Sequence, residues 1–194
     1  QETGATIQSF LKKRGYSSAN LTALKKMPDG IRQNGHSAYM IHRLQAGDLL
    51  TVHITENISS AKIVPVPLPL TIVYEDEDLM VVEKPAGMPI HPSMGNYTNS
   101  LANAVAWYFA NQDCPYVFRC ISRLDHNTSG LTILAKHMVG ASILSGALKK
   151  GEICREYLGI ARGSVRPAKG VITAPLGRKP GSLIERTIDF ETGE

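Results

Sequence analysis

Ser122-Arg123-Leu124-Asp125-His126-Asn127-Thr128-Ser129-Gly130 is followed at once by the apolar run 131–135. In this stretch one carboxylate, that of Asp125, lies between Arg123 and the polar segment 126–130. The residues after Asp125 are turn formers whose side chains bond to local backbone, and Gly130 can adopt a positive φ. The apolar run that follows has the length and composition of a buried strand. The stretch therefore predicts an aspartate at an exposed bend that leads into a buried strand.

The alternation of side chains in an extended backbone suggests what this aspartate can do. Arg123 and Asp125 would point the same way, with Leu124 turned into the packing. A guanidinium beside a carboxylate favours its charged form, and an ionised carboxylate can act as a nucleophile or as a base. The alternative is structural: Asp125 caps a turn and Arg123 pairs with it. By residue type alone the structural interpretation is the more common one, because short motifs produce many false matches.

The rest of the chain reads as alternating short helices and strands. The first part, residues 1–60, is predicted to be a helix-helix-hairpin unit with a turn at Asn34-Gly35. The predicted helices are 7–14, 19–26, 101–109 and 138–148, and the predicted strands lie near Ile31 and at 49–54, 72–74, 79–83, 131–135 and 153–161. In the last of these strands, alternation would put Arg155 and Tyr157 on one face.

A proline-rich stretch predicts the domain boundary. Residues 65–70 read Pro-Val-Pro-Leu-Pro-Leu, a stiff extended sequence suited to a linker. We expect an α+β protein with a domain at 1–60, a linker at 61–70 and a second domain at 71–194 that contains a mixed or antiparallel sheet. Between its predicted strands and helices, residues 84–92 are too rich in proline and glycine for regular structure and should form a shaped loop.

Charge is unevenly distributed along the chain. The net charge is +4, made up of +3 in residues 1–60, −4 in residues 61–118 and +5 in residues 119–194. Such a distribution suits a polyanion such as RNA, although an ordinary solvated surface is equally compatible. The basic residues of the first domain that could line one surface are Lys12, Lys13, Arg14, Lys25, Lys26 and Arg32.

Other functional classes find little support in the sequence. Four adjacent carboxylates at 75–78 lack the ligand pattern of a calcium loop, and the six histidines show no metal-binding spacing. No hydrolase or nucleotide-binding motif occurs. Three cysteines without a CxxC pair predict reduced thiols in a cytoplasm and argue against a zinc ribbon or a disulfide framework. With no membrane span or signal peptide in the sequence, we expect a soluble intracellular protein.

Several segments, taken in order, resemble one family. The run 83–92 resembles its first motif, Arg123-Leu124-Asp125 with Thr128-Ser129-Gly130 resembles its signature HRLDxxTSG, and Arg155-Glu156-Tyr157 resembles its (K/R)xY strand. Residues 170–178 resemble the segment that follows. The family is the RluA-type RNA pseudouridine synthases. The first segment, which ends in Leu44-Gln45-Ala46-Gly47-Asp48, resembles the RNA-binding domain named after ribosomal small-subunit protein four.

The resemblance implies roles for individual residues. Asp125 would be the catalytic nucleophile, Arg123 would orient it or hold the displaced nucleotide open, and Tyr157 would pack on the target uracil; alone, Tyr157 would read as a core tyrosine. Lys84, His91 and Arg155 would join the basic residues of the first domain in binding RNA. The implied substrate is structured RNA, ribosomal or transfer RNA, bound by a monomer without a metal or cofactor.

Two features depart from the family pattern. Ser122 stands where the family has a histidine, and the chain reaches Glu194 without the family's third motif, so we expect a catalytic domain truncated at its C-terminus. The alternative function is a non-catalytic RNA-binding module with an incomplete or degenerate catalytic domain. A metal-dependent nuclease using the acidic turn would lack histidine ligands and a second carboxylate cluster.

Overall fold

The computed structural model describes residues 3–182 and 185–193, which form a mixed α+β structure with small antiparallel sheets. Two compact units are present, one within residues 1–154 and one within 155–194. The helices are α1 (Ile7–Lys13), α2 (Ser18–Lys26), α3 (Leu101–Ala110) and α4 (Met138–Lys149). The strands are β1 (Ile31–Gln33), β2 (His36–Ser37), β3 (Leu50–Val52), β4 (Thr71–Glu75), β5 (Leu79–Lys84), β6 (Gly130–Ala135), β7 (Leu176–Arg178) and β8 (Arg186–Ile188).

The N-terminal part of the first unit packs two short helices against a small sheet. Hydroxyl groups start both helices: Thr6 accepts from the Ser9 N–H, and Ser17 forms a capping box with Asn20. The sheet order is β2-β1-β3, and all its pairs are antiparallel. Both predicted helices and the predicted turn at Asn34-Gly35 are confirmed, since both turn residues have positive φ. A buried core joins these elements: Ile7, Leu11, Leu21, Leu24, Ile31, Met40 and Leu44.

The second sheet has the antiparallel order β4-β5-β6, and β5 lies at its centre. The predicted strands 72–74 and 79–83, on either side of the acidic turn, and the predicted strand 131–135 are confirmed as β4, β5 and β6. One face of β6 is buried through Thr132 and Leu134, while Leu131 on the other face is 59% exposed. Helix α3 and aromatic residues close the core under the buried face: Met80, Val82, Ile90, Leu101, Ala102, Val105, Phe109, Tyr116, Phe118 and Leu134.

The chain between the two cores is bound along its length to the second core. Glu56 accepts two hydrogen bonds from the Arg119 guanidinium (2.8 and 2.6 Å). The Ser60 hydroxyl accepts from the Phe118 N–H at 2.9 Å. Further on, the buried Asn103 amide donates to the Val64 carbonyl oxygen at 2.8 Å. These contacts hold residues 56–64 against α3 and against residues 116–119.

Helix α4 ties the N-terminal part to the second core. The Asn20 side-chain amide of α2 donates a hydrogen bond to the Met138 carbonyl oxygen of α4 at 3.1 Å. The Ser142 hydroxyl of α4 donates to the Gly15 carbonyl oxygen at 2.8 Å. The predicted helix 138–148 is confirmed, and Gly151 follows its end with φ +74°. The helical pair α1–α2 therefore has a defined position on α4 within the first unit.

The prediction of a strand at 153–161 is wrong. Within the described residues of the second unit, the hairpin strands β7 and β8 are the regular elements, and residues 155–161 have no strand structure. The side chains of Leu158 and Ile160 are fully exposed. Alternation alone does not make a strand, because its backbone groups also need a paired neighbour and one face needs a surface to cover it.

The helices of the described ranges 3–182 and 185–193 are short, the longest being the 12 residues of α4. None of them is long and apolar enough to cross a membrane. Cys114, Cys120 and Cys154 are free thiols.

Candidate active site

Lys84, the last residue of β5, lies under the turn that carries Asp125. Its side chain has no exposed surface. The ammonium group donates three hydrogen bonds to carbonyl oxygens, at Pro85 (2.9 Å), Met88 (2.8 Å) and His126 (3.2 Å). An ammonium group has three N–H donors, so all of them are satisfied by backbone. Lys84 thereby joins the loop after β5 to the turn before β6.

This geometry corrects the prediction that Lys84 binds RNA. A phosphate contact requires an exposed donor, and Lys84 has neither exposed surface nor a free N–H. A sequence signal for its true position was present: Met80, Val82 and Lys84 alternate along β5, and the first two are core residues. Lys84 therefore lies on the inward face of its strand and acts on the site through the backbone it holds.

The Asp125 turn is a hydrogen-bonded β-turn. The Thr128 N–H donates to the Asp125 carbonyl oxygen at 3.1 Å, and the Gly87 N–H donates to the His126 carbonyl oxygen at 2.9 Å. Gly130 then enters β6 with φ +128° and pairs with Lys84. The predicted bend is confirmed. The turn is held at its centre by the loop 85–92 and at its end by the sheet.

The segment that enters the turn is anchored to β6. The Ser122 carbonyl oxygen accepts from the Thr132 hydroxyl and, at 3.1 Å, from the Cys120 thiol. Ser122 is buried, so the residue that replaces the family's histidine faces the interior. Thr132 is completely buried in β6. Sequence reasoning missed this anchor, since a threonine in a strand gives no sign of the carbonyl group it will reach.

Exposure alternates along Arg123-Leu124-Asp125 as expected for extended backbone. Arg123 and Asp125 are exposed, and Leu124 between them is half-buried. Both charged side chains therefore stand at the surface. Yet among the ion pairs of the described residues, none joins Arg123 to Asp125. The structural interpretation, in which Arg123 exists to pair with Asp125, is therefore not supported by a contact between them.

The two charged residues act electrostatically on different neighbours. The pKa of Lys84 is lowered because burial disfavours its charge, and the nearby Asp125 carboxylate offsets part of this effect. The pKa of His91 is also lowered, first by burial and then by the positive charge of Arg123. The His91 ring lies edge-on to Phe118, with centroids 5.0 Å apart. The charge of Arg123 therefore acts on His91, and the charge of Asp125 acts on the buried ammonium.

The acidic turn has a structural explanation. Glu75 accepts from the Lys136 ammonium (2.8 Å) and from the Tyr108 hydroxyl (2.7 Å), and Asp76 caps the turn by accepting from the Asp78 and Leu79 N–H groups. Within the part of the chain that the structure describes, no group of His, Cys, Asp or Glu side chains is arranged to hold a metal ion.

The predicted basic residues of the first domain lie on α1, α2 and β1. Five of them are exposed: Lys12, Lys13, Arg14, Lys25 and Lys26. They fall at the C-terminal ends of the two helices, and the Arg14 guanidinium lies 3.6 Å from the centroid of the Phe10 ring. Arg32 is half-buried and forms an ion pair with Asp29 at 2.8 Å. Their contact with RNA stays a prediction.

Two predicted site residues belong to the second unit. Arg155 and Tyr157 lie in its exposed N-terminal stretch, outside any helix or strand, and the Tyr157 side chain is 63% exposed. Tyr157 is therefore not a core residue of the described structure. The predicted packing of Tyr157 on the target uracil and the predicted RNA contact of Arg155 stay predictions.

Comparisons with known proteins agree on one family. The family model described as "RNA pseudouridylate synthase" matches residues 78–189. The chain is 33% identical over 183 residues to the uncharacterized RNA pseudouridine synthase YjbO of Bacillus subtilis, which covers 94% of this chain and 65% of that protein. It is 37% identical over 139 residues to ribosomal large subunit pseudouridine synthase D of Buchnera aphidicola, covering 70% of this chain and 43% of that protein.

A solved structure shows the same fold. Human RNA pseudouridylate synthase domain containing 1 superposes with a TM-score of 0.50 at 24% identity, over 64% of this chain and 46% of that chain.

Proposed function

The chain belongs to the RNA pseudouridylate synthase family, and from this premise we propose that it is the part of an RNA pseudouridine synthase that carries the nucleophile, Asp125. It spans 65% of the first curated relative and 49% of the second, so the activity is proposed for the full-length protein. The reaction is the isomerisation of a uridine within RNA, an intramolecular transfer of the base that needs no redox step.

The chemistry requires an exposed carboxylate. The N1–C1′ glycosidic bond must break, the uracil must turn, and a C5–C1′ bond must form; the C5 proton is lost to solvent and N1 gains one. A carboxylate oxygen that attacks C1′ of the ribose, or C6 of the uracil ring, would hold one fragment covalently while the other turns, and would then leave. Each route demands that the uridine leave its stack to reach the aspartate.

The observation that carries the proposal is the placement of Asp125. Its side chain is exposed, while the turn beneath it is tied to buried backbone and to the Lys84 ammonium. A nucleophile gains from being held in one geometry while remaining accessible. Arg123, exposed on the same side of its segment, is proposed to hold the displaced nucleotide, and Tyr157 to pack on the uracil.

We further propose how RNA is bound. Residues 1–60 would act as an RNA-binding domain of the type named after ribosomal small-subunit protein four, with the exposed lysines of α1 and α2 facing phosphates. A 61–70 linker would join it to the 71–194 catalytic domain. His91 and Arg155 would make further contacts. The names of the relatives in Buchnera and Neisseria favour large-subunit ribosomal RNA as the substrate. We also propose that the protein acts as a monomer in the cytoplasm.

The test is tritium release from RNA labelled at C5 of uracil. The full-length protein, its Asp125→Asn variant and a matched Asp113→Asn control, which changes an exposed aspartate outside the site, are incubated with large-subunit ribosomal RNA and with transfer RNA. The proposal predicts release by the parent and the control and none by Asp125→Asn. Equal release by all three would reject Asp125 as the nucleophile, and no release by the parent from either RNA would reject the activity.

A further inference from the structure

Thr132 is a polar residue in a buried position of β6. Its side chain has no exposed surface, and its neighbours on the inward face of the sheet, Val82 and Leu134, are apolar and equally buried. A hydroxyl group that is removed from water costs free energy unless it forms a hydrogen bond. Valine has nearly the same shape without this cost, so the hydroxyl contributes through the group that it binds.

The Thr132 hydroxyl binds the backbone at the point where the chain leaves β6 for the Asp125 turn. Residues 119–121 are attached to β6 by two backbone hydrogen bonds of 2.8 and 2.9 Å. One residue further, the Ser122 carbonyl oxygen accepts a hydrogen bond from the Thr132 side chain instead. The hydroxyl therefore extends the attachment of this run to Ser122, three residues before Asp125.

The Cys120 thiol supports the same contact only weakly. Its sulfur lies 3.1 Å from the Ser122 carbonyl oxygen and 3.2 Å from the Thr132 hydroxyl oxygen. Because the hydroxyl proton is donated to Ser122, the thiol proton goes to one of these two oxygens, and a thiol is a weak donor. Thr132 is therefore the stronger donor at this carbonyl group.

Asp125 lies between two anchored carbonyl groups. On its N-terminal side the Ser122 carbonyl oxygen is held by Thr132, and on its C-terminal side the His126 carbonyl oxygen accepts from the buried Lys84 ammonium. The residues between these anchors include the exposed carboxylate. A shift of either anchor therefore changes where the carboxylate stands relative to a bound uridine.

We propose that Thr132 is a positioning residue of the reaction: its hydroxyl fixes the Ser122 carbonyl group and thereby the point from which the Asp125 carboxylate attacks. The inference rests on the proposed function, in which Asp125 is the nucleophile. Thr132 is completely buried and so cannot touch RNA. Its loss should therefore slow the chemical step, in which a small displacement of a reacting group is costly, and should leave RNA binding unchanged.

The test is single-turnover tritium release by the full-length protein, in excess over large-subunit ribosomal RNA labelled at C5 of uracil. Thr132→Val removes the donor and keeps the size of the side chain, and Thr132→Ser restores the donor. Tyr116→Phe is the matched control, since the buried Tyr116 hydroxyl also donates to a carbonyl oxygen of β6, that of Ala135 at 3.2 Å, at the end of the strand away from the turn. Urea denaturation gives the stability of each variant, filter binding gives its RNA affinity, and rates are expressed per folded molecule.

Thr132→Val is expected to slow release by about 10-fold or more, with an RNA affinity within about twofold of the parent. Thr132→Ser and Tyr116→Phe are expected to stay within about threefold of the parent rate. Release at the parent rate by Thr132→Val, an equal loss in Tyr116→Phe, or weaker RNA binding with an unchanged saturated rate would overturn the positioning role. If Thr132→Val does not fold, Thr132→Ala compared with Thr132→Ser isolates the same hydroxyl, and equal rates in that pair would also overturn it.

Failure of the function and failure of the inference give different results. A parent that releases tritium, with Thr132→Val releasing it equally fast, retains the proposed function and rejects the role of Thr132. A parent that releases none rejects the function, and the role of Thr132 is rejected with it.

Discussion

The Lys84 ammonium donates a hydrogen bond to the His126 carbonyl oxygen at 3.2 Å, a contact between residues 42 positions apart. It is the point at which the first motif of the family meets its signature motif. Because Lys84 also binds two carbonyl groups of its own loop, one buried cation sets both segments relative to each other. The shape of the Asp125 turn therefore depends on a residue that touches neither solvent nor substrate.

Replacing Lys84 should destabilise the fold and slow the reaction together. Lys84→Met keeps the length of the side chain but leaves the carbonyl oxygens of Pro85 and Met88 without a donor and removes one of the two donors to the His126 carbonyl oxygen. We therefore expect the free energy of unfolding to fall by about 2–4 kcal/mol. Urea denaturation measures this loss. Lys150→Met, at a lysine whose side chain is 71% exposed, serves as the control and should change little. A Lys84→Met protein as stable as the parent would show that the three hydrogen bonds are dispensable.

The charge of Arg123 should be visible in the titration of His91. Arg123 lowers the pKa of His91 by repulsion, in addition to the larger effect of burial. In Arg123→Met the pKa of His91 is therefore expected to rise towards its ordinary value, as followed by NMR of the imidazole protons. Arg43→Met, which removes an exposed arginine from the N-terminal part, should leave the His91 titration unchanged. Identical curves for the parent and Arg123→Met would place Arg123 away from His91.

His91 should also make the fold sensitive to mild acid. Its pKa is lower in the folded than in the unfolded chain, so below its ordinary value of 6.5 the unfolded chain binds more protons. The free energy of unfolding should therefore fall as pH drops below 6.5 and level off below the folded pKa. His91→Phe, which keeps a ring against Phe118 and cannot titrate, should show a smaller fall in urea denaturation between pH 7.5 and about 5. An unchanged pH dependence in this variant would contradict the assignment.

The lysine pair at the end of α2 should control the salt dependence of RNA binding. If Lys25 and Lys26 contact phosphates, the double variant Lys25→Ala/Lys26→Ala loses up to two released counterions, and the slope of log affinity against log salt should decrease by about 1–2. Fluorescence anisotropy with labelled ribosomal RNA measures the slope. The pair Lys149 and Lys150 at the end of α4 is the matched control. Equal effects of both double variants would indicate non-specific attraction rather than a binding face.

Local patterns in the sequence were sufficient to predict the helices and hairpins. These patterns act through residues that are neighbours in the sequence, so they can be recognised without knowing the fold. Examples are the capping serine and asparagine of α2, the Asn34-Gly35 turn and the alternation in β5 and β6. The family resemblance pointed to Asp125, and the structure adds how its turn is held. The bend itself was predictable because turn formers and Gly130 follow the aspartate directly.

Features that depend on distant partners were not predictable. The carbonyl groups that satisfy Lys84 and the Thr132–Ser122 contact are long-range or backbone contacts with no signature in residue type. The predicted strand at 153–161 was wrong because an alternating pattern forms a strand only beside a neighbouring strand, and the described residues do not supply one there.

The pairing of β5 with β6 has a consequence for the order of events during synthesis. The ribosome adds residues one after another, and Lys84 emerges long before Gly130 and the strand that it begins. Until residues 130–135 have left the exit tunnel, β5 lacks its partner β6, and the turn before Gly130 lacks the strand that fixes its end. A nascent chain that stalls earlier would contain Asp125 as an unplaced carboxylate, so the proposed nucleophile acquires its shape only when this sheet closes.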